Sequence, residues 1–269
     1  MKVVILAGGF GTRLAEETEI KPKPMVEIGG KPILWHIQKI YAHYGFTEFI
    51  IALGYKGEVI KRYFLEYYRL NGGMTVNFLN GRVEPHNASQ ENWRVHLVDT
   101  GINTLTGGRI KRLQSWLQGE RFMVTYGDGL SNVDIKALIG FHQSQNKIAS
   151  ITAVRPPSRF GELAFRGMLV SNFHEKPLAG DGWVNGGFMV FEPQIFGYLE
   201  GDKSVLERDG LERLANLSQL AAYRHDGFWQ CMDTINDQRY LEQLWQAEDP
   251  PWKVWENQAE LSPLSRERQ

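Results

Sequence analysis

A glycine-rich loop is the first segment of the chain whose residue types could do chemistry. The letters GGFGTR occupy positions 8–13, directly after the apolar run 2–7. Glycines permit a tight turn and bring backbone N–H groups against phosphate oxygens, and Arg13 adds a positive charge. Position 14 is leucine, so the third in-register glycine of a dinucleotide-binding loop is missing, and no P-loop Gly-Lys-Ser/Thr follows. The pattern indicates a phosphate-binding turn of another kind, with a tight turn that binds no ligand as the alternative.

Lys23 is held between two prolines in the segment KPKPM at positions 21–25. Proline fixes its own φ and pushes its predecessor towards extended geometry, so the backbone of Lys23 has little freedom. A cation in a pre-set position loses less entropy when it grips a phosphate. Alone, the segment favours a stiff, solvated loop. Together with the glycine loop and Arg13, it predicts that three elements converge on one triphosphate.

Two aspartates are candidate ligands for a divalent cation. Asp128 stands between two glycines after the apolar run 122–126, and Asp233 lies in FWQCMDT at positions 228–234. A carboxylate at the carboxyl end of a strand is well placed to hold Mg²⁺ near phosphates. Each aspartate could instead belong to a turn or a helix cap, and Thr234 could cap the last helix. The sequence alone does not bring the two carboxylates together.

Two weaker motifs are EKP at positions 175–177 and NGG at positions 185–187. A lysine beside a glutamate is usually a surface pair of little energetic value, so only the context makes these segments candidates for ligand binding. The seven histidines form neither an HExxH motif nor a cluster with the single cysteine. The sequence therefore predicts no zinc site.

The elements that must position these residues alternate between apolar strands and amphipathic helices. Strands are predicted at 2–7, 49–53, 122–126, 148–154 and 188–191, and helices at 32–45, 59–68, 134–146 and 238–246. This alternation predicts an α/β fold with a mostly parallel sheet. Residues 71–99 are polar and predict a β-rich insertion, while 220–223 could be a strand or a helix end. We expect one domain over 1–269, with a polar tail at about 257–269.

Composition limits the classes of function. The 269 residues are 42% hydrophobic and 23% charged, with a formal net charge of -1, so nothing global points to nucleic acid. The single cysteine suits a reducing compartment. The first residues lack the pattern of a signal peptide, and no apolar stretch approaches the roughly 20 residues of a membrane span. The expectation is a cytoplasmic protein without nucleic-acid or membrane partners.

The segments LAGGFGTRL, KPKPM, YGDG, EKP and FWQCMDT, in this order, resemble those of the sugar-1-phosphate nucleotidyltransferases. The resemblance runs from the first residue to about position 256. Three stretches narrow it to the members that transfer cytidylyl groups: KPKPMVEIGGKPILWHI, the segment around 99–112 and PWKVWE. One departure is Cys231, which replaces the proline often found in FWQPMDT.

The resemblance implies a Rossmann-like sheet flanked by helices with a sugar-binding region, and it assigns roles by motif. The nucleotide would be bound by Leu6, Ala7, Gly8, Gly9, Phe10, Gly11, Thr12, Arg13, Lys23, Thr104, Arg109 and Gly127. The sugar phosphate would be bound by Glu175, Lys176, Asn185 and Gly186. Asp128 and Asp233 would hold Mg²⁺, and Arg13 and Lys23 would be catalytic, because they would neutralise the leaving pyrophosphate.

The implied reaction joins CTP to α-D-glucose 1-phosphate and gives CDP-glucose and pyrophosphate, with a homo-oligomer as the expected assembly. Arg109 can only donate hydrogen bonds, which suits the acceptors O2 and N3 of cytosine, whereas the hydroxyl of Thr104 can donate or accept. Alternatively, Arg109 binds phosphate or caps a helix surface. Uridylyl or thymidylyl transfer, a non-catalytic nucleotide-sugar sensor and a glycosyltransferase are rival functions.

Overall fold

A computed structural model of the protein describes residues 1–11, 20–70, 73–86, 91–117, 119–156, 162–174 and 182–255. The strands are β1 (Val3–Ala7), β2 (Glu27–Ile28), β3 (Lys31–Pro32), β4 (Glu48–Leu53), β5 (Gly73–Asn77), β6 (Arg82–His86), β7 (Arg94–Asp99), β8 (Phe122–Tyr126), β9 (Gly129–Ser131), β10 (Ala149–Val154), β11 (Glu162–Arg166), β12 (Leu169–His174), β13 (Val184–Phe191), β14 (Leu220–His225) and β15 (Trp229–Cys231). The α-helices are α1 (Ile33–His43), α2 (Gly57–Leu70), α3 (Thr106–Arg112), α4 (Gln114–Leu117), α5 (Ile135–Gln145), α6 (Arg213–Asn216) and α7 (Ile235–Gln246). Short 3₁₀ turns lie at Lys23–Met25 and Pro193–Gly197, and a π-helical segment lies at Leu206–Glu212.

A seven-stranded sheet in the order β14-β10-β13-β8-β1-β4-β7 forms the centre of the fold. β13 pairs antiparallel with both of its neighbours, and the other strand pairs of this sheet are parallel. Successive residues of β1 point to opposite faces, so Val3 and Ile5 pack into one apolar cluster and Val4 into another. A sheet covered on both faces selects near-continuous apolar strands. The predicted α/β fold with a mostly parallel sheet is confirmed.

Helix ends follow the capping chemistry of the sequence. Asp134 caps α5, where its Oδ1 accepts a hydrogen bond from the backbone N of Ala137 at 2.9 Å. Thr234 caps α7 within a capping box completed by Asp237, as the sequence allowed. Residues 220–225 form a strand that pairs in parallel with β10, which decides between the two structures predicted for 220–223. Among the described residues, no helix is both long and apolar enough to cross a membrane.

The prediction of an insertion over 71–99 is wrong for its last strand, which belongs to the central sheet. β5 and β6 form a separate antiparallel hairpin, but β7 joins the central sheet in parallel with β4. β7 is an edge strand whose residues are exposed or half-exposed, so polar residues such as Arg94 and His96 made it look like a further strand of the insertion. A second hairpin, β11–β12, precedes β13. The predicted tail at 257–269 lies outside the described residues.

A glycine pair decides how helix α3 packs, which the sequence did not reveal. A Cβ atom on Gly107 would lie 2.9 Å from the backbone oxygen of Ser204, and one on Gly108 would lie 2.6 Å from that of Asp202. Glycine weakens a helix by roughly 1 kcal/mol relative to alanine, which is why this segment carries little helical signal. The two glycines let α3 lie directly on the chain that enters the π-helical segment.

Candidate active site

A cavity of about 670 Å³ opens at the carboxyl ends of the central strands. Ligands of open α/β sheets bind at this edge, because the loops that follow parallel strands meet there. Its walls combine the glycine loop, the proline-held lysine and the segment before α3. The predicted residues that line it are Leu6, Ala7, Gly8, Gly9, Phe10, Gly11, Lys23, Thr104, Arg109, Gly127 and Asp128.

Asp128 and Asp233 meet although they are far apart in the sequence. β9 and β15 pair antiparallel with Gly129 opposite Cys231, and the backbone N of Met232 donates to the backbone O of Asp128 at 2.8 Å. The residues that flank this ribbon are therefore neighbours. Asp237 also accepts a hydrogen bond from the backbone N of Asp233 at 3.0 Å, so the start of α7 fixes that aspartate.

The ammonium group of Lys23 lies between the two carboxylates. Its Nζ is 2.5 Å from Oδ2 of Asp128 and 2.7 Å from Oδ1 of Asp233. The two carboxylates thus share one cation position, and one or two carboxylates are the protein ligands typical of a Mg²⁺ that is also bound to substrate phosphates. The described residues contain no group of three or more His, Cys, Asp or Glu side chains suited to a metal. The donors at this position fit a phosphate-bound Mg²⁺.

The carboxylates set the protonation of the groups beside them. Burial by itself lowers the pKa of Lys23, but the charges and hydrogen bonds of Asp128 and Asp233 raise it above its ordinary value, so the ammonium stays charged. Burial, assisted by the charges of Asp233 and Asp128, raises the pKa of the Cys231 thiol to about 12. The thiol is therefore protonated at neutral pH and is not poised as a nucleophile.

The buried Arg109 joins the ends of three strands. Its Nη1 donates to the backbone O of Leu53 at 2.9 Å and of Gly101 at 2.8 Å, and its Nη2 donates to the backbone O of Gly8 at 2.9 Å. The hydroxyl of Thr100 accepts a further bond from Nη1 at 2.8 Å. These contacts do not test whether Arg109 reads the base, but they give it a structural task that the sequence did not reveal.

The backbone of Gly8 lies directly against the guanidinium of Arg109. A Cβ atom at this position would lie 2.2 Å from Nη1 of Arg109. Because the guanidinium passes directly over the backbone of Gly8 to reach its carbonyl acceptors, a side chain at position 8 would displace it from those acceptors. The first glycine of GGFGTR is therefore explained by packing against Arg109 as well as by an approach to phosphate.

A second cavity of about 380 Å³ lies beside the first, and Tyr126 and Asp128 line both. The predicted residues Asn185 and Gly186 are in its wall, and the indole Nε1 of Trp229 donates to the backbone O of Gly186 at 2.7 Å. Sequence reasoning missed Tyr126, Glu207 and Trp229 as residues of this cavity. Tyr126 and Trp229 lie inside the segments YGDG and FWQCMDT, which were already singled out. Of these three residues, Glu207 is the one that no sequence motif marked.

Four predicted site residues lie outside the described residues. They are Thr12 and Arg13 of the glycine loop and Glu175 and Lys176 of the EKP segment. Their roles stay predictions.

The family model described as Nucleotidyl transferase matches residues 2–244. The chain belongs to the nucleotidyl transferase family. It is 50% identical to the glucose-1-phosphate cytidylyltransferase of Salmonella typhimurium over 257 residues, which cover 95% of this chain and 100% of that protein. It is 43% identical to the probable glucose-1-phosphate cytidylyltransferase of Bacillus subtilis, again over 95% of this chain and 100% of the relative.

A solved structure has the same fold as the one described above. The crystal structure of HddC from Yersinia pseudotuberculosis superposes with a TM-score of 0.65 at 25% sequence identity, covering 91% of this chain and 99% of that one. The family predicted from the motifs and the Rossmann-like arrangement are therefore confirmed.

Proposed function

We propose that the protein transfers the cytidylyl group of CTP to α-D-glucose 1-phosphate and releases pyrophosphate. The observation that carries the reaction type is the position of the Asp128–Lys23–Asp233 cluster, where two adjoining cavities share a wall. Two ligands placed in these cavities would bring their phosphates together at that wall. The 50% identity to a glucose-1-phosphate cytidylyltransferase supports CTP and glucose 1-phosphate as the two ligands.

The larger cavity suits the triphosphate and the smaller one the sugar phosphate. Backbone N–H groups of the glycine loop would hold the triphosphate, while Tyr126, Asn185 and Trp229 offer the sugar two aromatic rings and an amide. Both phosphates then face Lys23 and the carboxylate pair. The attacking group is already an anion, so the protein needs no nucleophile, in keeping with the protonated Cys231.

Catalysis would then consist of positioning and charge neutralisation. Asp128 and Asp233 would hold Mg²⁺, which when bound offsets the charge of the attacking phosphate and the α-phosphate. Lys23 lies within reach of the same phosphates and, with Arg13, would neutralise charge that builds on the leaving pyrophosphate. A sensor without catalysis has no need of Lys23 and both carboxylates at one point.

Pyrophosphate release tests the reaction and the base together. The purified protein is incubated with glucose 1-phosphate, Mg²⁺ and CTP, UTP or dTTP separately, with EDTA as the metal-free control. We expect CTP to exceed UTP in kcat/KM by roughly tenfold to a hundredfold, since one unpaired buried donor costs about 1–3 kcal/mol. A preference for UTP or dTTP would contradict the cytidylyl assignment but keep nucleotidyl transfer. If none of the three triphosphates gives pyrophosphate, the result would point to the sensor.

Lys23→Ala is expected to lower kcat by about a hundredfold to a thousandfold, the usual effect of losing one group that stabilises developing charge. The KM for CTP should rise less, because the charge on the leaving group grows towards the transition state. Lys21→Ala is the matched control, since it removes the other lysine of KPKPM, whose Nζ lies 3.5 Å from Glu27. If Lys23→Ala changes KM alone, Lys23 binds substrate without serving catalysis.

The expected homo-oligomer is also part of this proposal. The hairpin tips carry apolar side chains that are almost fully exposed, including Phe78 at 93%, Leu79 at 96% and Met168 at 98%. Clusters of exposed apolar residues are typical of protein interfaces, and they support self-association. Size-exclusion chromatography coupled to light scattering measures the molar mass of the assembly directly. The cytoplasmic location stays a prediction from the sequence.

A further inference from the structure

Glu207 is a half-buried carboxylate in the second cavity that the sequence did not single out. It lies in the π-helical segment Leu206–Glu212, a rare geometry that often marks functional positions. Its Oε1 accepts a hydrogen bond from the hydroxyl of Tyr126 at 2.5 Å, and its Oε2 accepts one from the hydroxyl of Thr106 at 2.8 Å. Glu207 therefore bridges α3, which borders the nucleotide cavity, and Tyr126, which borders both cavities.

Within the part of the chain that the structure describes, the hydrogen-bond partners of Glu207 are the hydroxyl groups of Tyr126 and Thr106. Among the ion pairs formed by the described residues, none includes Glu207. An ionised carboxylate offers about four acceptor sites, and the two hydroxyl donors fill about half of them. A carboxylate removed from water is stabilised only when donors occupy its oxygens. The remaining acceptor sites of Glu207 suit further neutral donors inside the cavity.

We propose that Glu207 accepts a hydrogen bond from a ring hydroxyl of the hexose and thereby determines sugar specificity; this inference rests on the proposed function. The negative charge of Glu207 repels the phosphate end of the substrate, while Lys23 attracts it. The two groups together orient the sugar phosphate, with its hydroxyls towards Glu207 and its phosphate towards the Asp128–Asp233 pair. Tyr126 serves as a positioning residue, because its hydroxyl holds the carboxylate in place.

The alternative is that Glu207 only ties the π-helical segment to α3 through Thr106. That tie exists, since the hydroxyl of Thr106 also accepts a hydrogen bond from the backbone N of Leu206 at 2.9 Å. If Glu207 only holds these elements together, its loss lowers kcat/KM by the same factor for every sugar phosphate. A group that binds one hydroxyl instead separates glucose 1-phosphate from the analogue that lacks this hydroxyl, and this difference is measurable.

The experiment compares glucose 1-phosphate with its 2-, 3-, 4- and 6-deoxy analogues in the wild type, Glu207→Gln and Glu212→Gln. Glu212 lies in the same segment, is exposed and makes no cap hydrogen bond, so it is the matched control. We expect the wild type to lose about tenfold to a hundredfold in kcat/KM with at least one deoxy analogue, as for a hydrogen bond to a charged group. Glu207→Gln should lose a similar factor with glucose 1-phosphate and treat that analogue and glucose 1-phosphate alike. Glu212→Gln should match the wild type.

Each other outcome has a separate meaning. If Glu207→Gln lowers kcat/KM by one factor for all five sugars, the carboxylate is structural and the inference is wrong. If the wild type releases no pyrophosphate with glucose 1-phosphate and any triphosphate, the proposed function fails and the inference falls with it. Thermal unfolding shows whether Glu207→Gln is folded, and Glu207→Asp, which keeps the charge but withdraws it from the sugar, repeats the comparison if it is not.

Discussion

Asp128→Asn should lower kcat by about a thousandfold or more while the fold stays intact, because Mg²⁺ contributes several kcal/mol of charge stabilisation and an amide is a poor ligand for it. Asp128 sits on the ribbon that also fixes Asp233, and both touch one cation position. Pyrophosphate release is measured across a range of Mg²⁺ concentrations, with thermal unfolding as the check on folding. Asp226→Asn, at an exposed position in the loop before the same ribbon, is the control.

Asp233→Asn should show the same loss, and the double variant should be little worse than either single variant. Two ligands of one ion act as a unit, so the effects of removing them are not additive. Multiplicative losses in the double variant would mean that the two carboxylates serve different groups. Normal turnover of Asp128→Asn with unchanged Mg²⁺ dependence would remove Asp128 from the metal site.

Arg109→Ala should lower the free energy of unfolding by about 3 kcal/mol or more, because it removes several hydrogen bonds from one buried, charged donor, and a hydrogen bond to a charged group contributes about 1.5–3 kcal/mol. The affected acceptors are the backbone oxygens of Gly8, Leu53 and Gly101, which end three neighbouring strands. CTP affinity should fall as well, since Gly8 belongs to the loop that would hold the triphosphate. Denaturant unfolding and calorimetric CTP binding measure the two effects.

Arg112→Ala is the matched control for Arg109, from the same helix. Arg112 is exposed and pairs with Asp202 at 2.6 Å, and surface pairs of this kind contribute about 0–1 kcal/mol. An Arg109→Ala protein as stable as Arg112→Ala would contradict the structural task of the guanidinium.

Arg109→Ala also tests whether this residue reads the base. If Arg109 donates to cytosine in addition to its backbone acceptors, the ratio of kcat/KM for CTP over UTP falls in the variant. An unchanged ratio, with both values lowered, would assign the effect entirely to the backbone contacts. This comparison separates specificity from stability, because a general loss of folded protein lowers the apparent kcat/KM for CTP and for UTP by the same factor.

The sequence by itself determined the α/β fold class, most of the central strands and long helices, and the order of the phosphate-side motifs. Short apolar runs closed by glycine, such as 2–7 and 122–126, favour strands covered on both faces, and Asp134 is a residue type that favours a helix N-cap. These features depend on residues that are close together in the sequence, so local sequence patterns predict them. The sequence did not show that edge strand β7 belongs to the central sheet, because its half-exposed residues are as polar as those of the insertion before it.

Only the tertiary structure decided which distant side chains meet. The pairing of β9 with β15 brings Asp128 to Asp233, and the π-helical segment brings Glu207 to Tyr126. Neither contact has a local signal, because each depends on the register of elements that are far apart in the sequence. The same reason hides the second task of Arg109: its acceptors are backbone carbonyls, which every residue carries, so no letter of the sequence marks them.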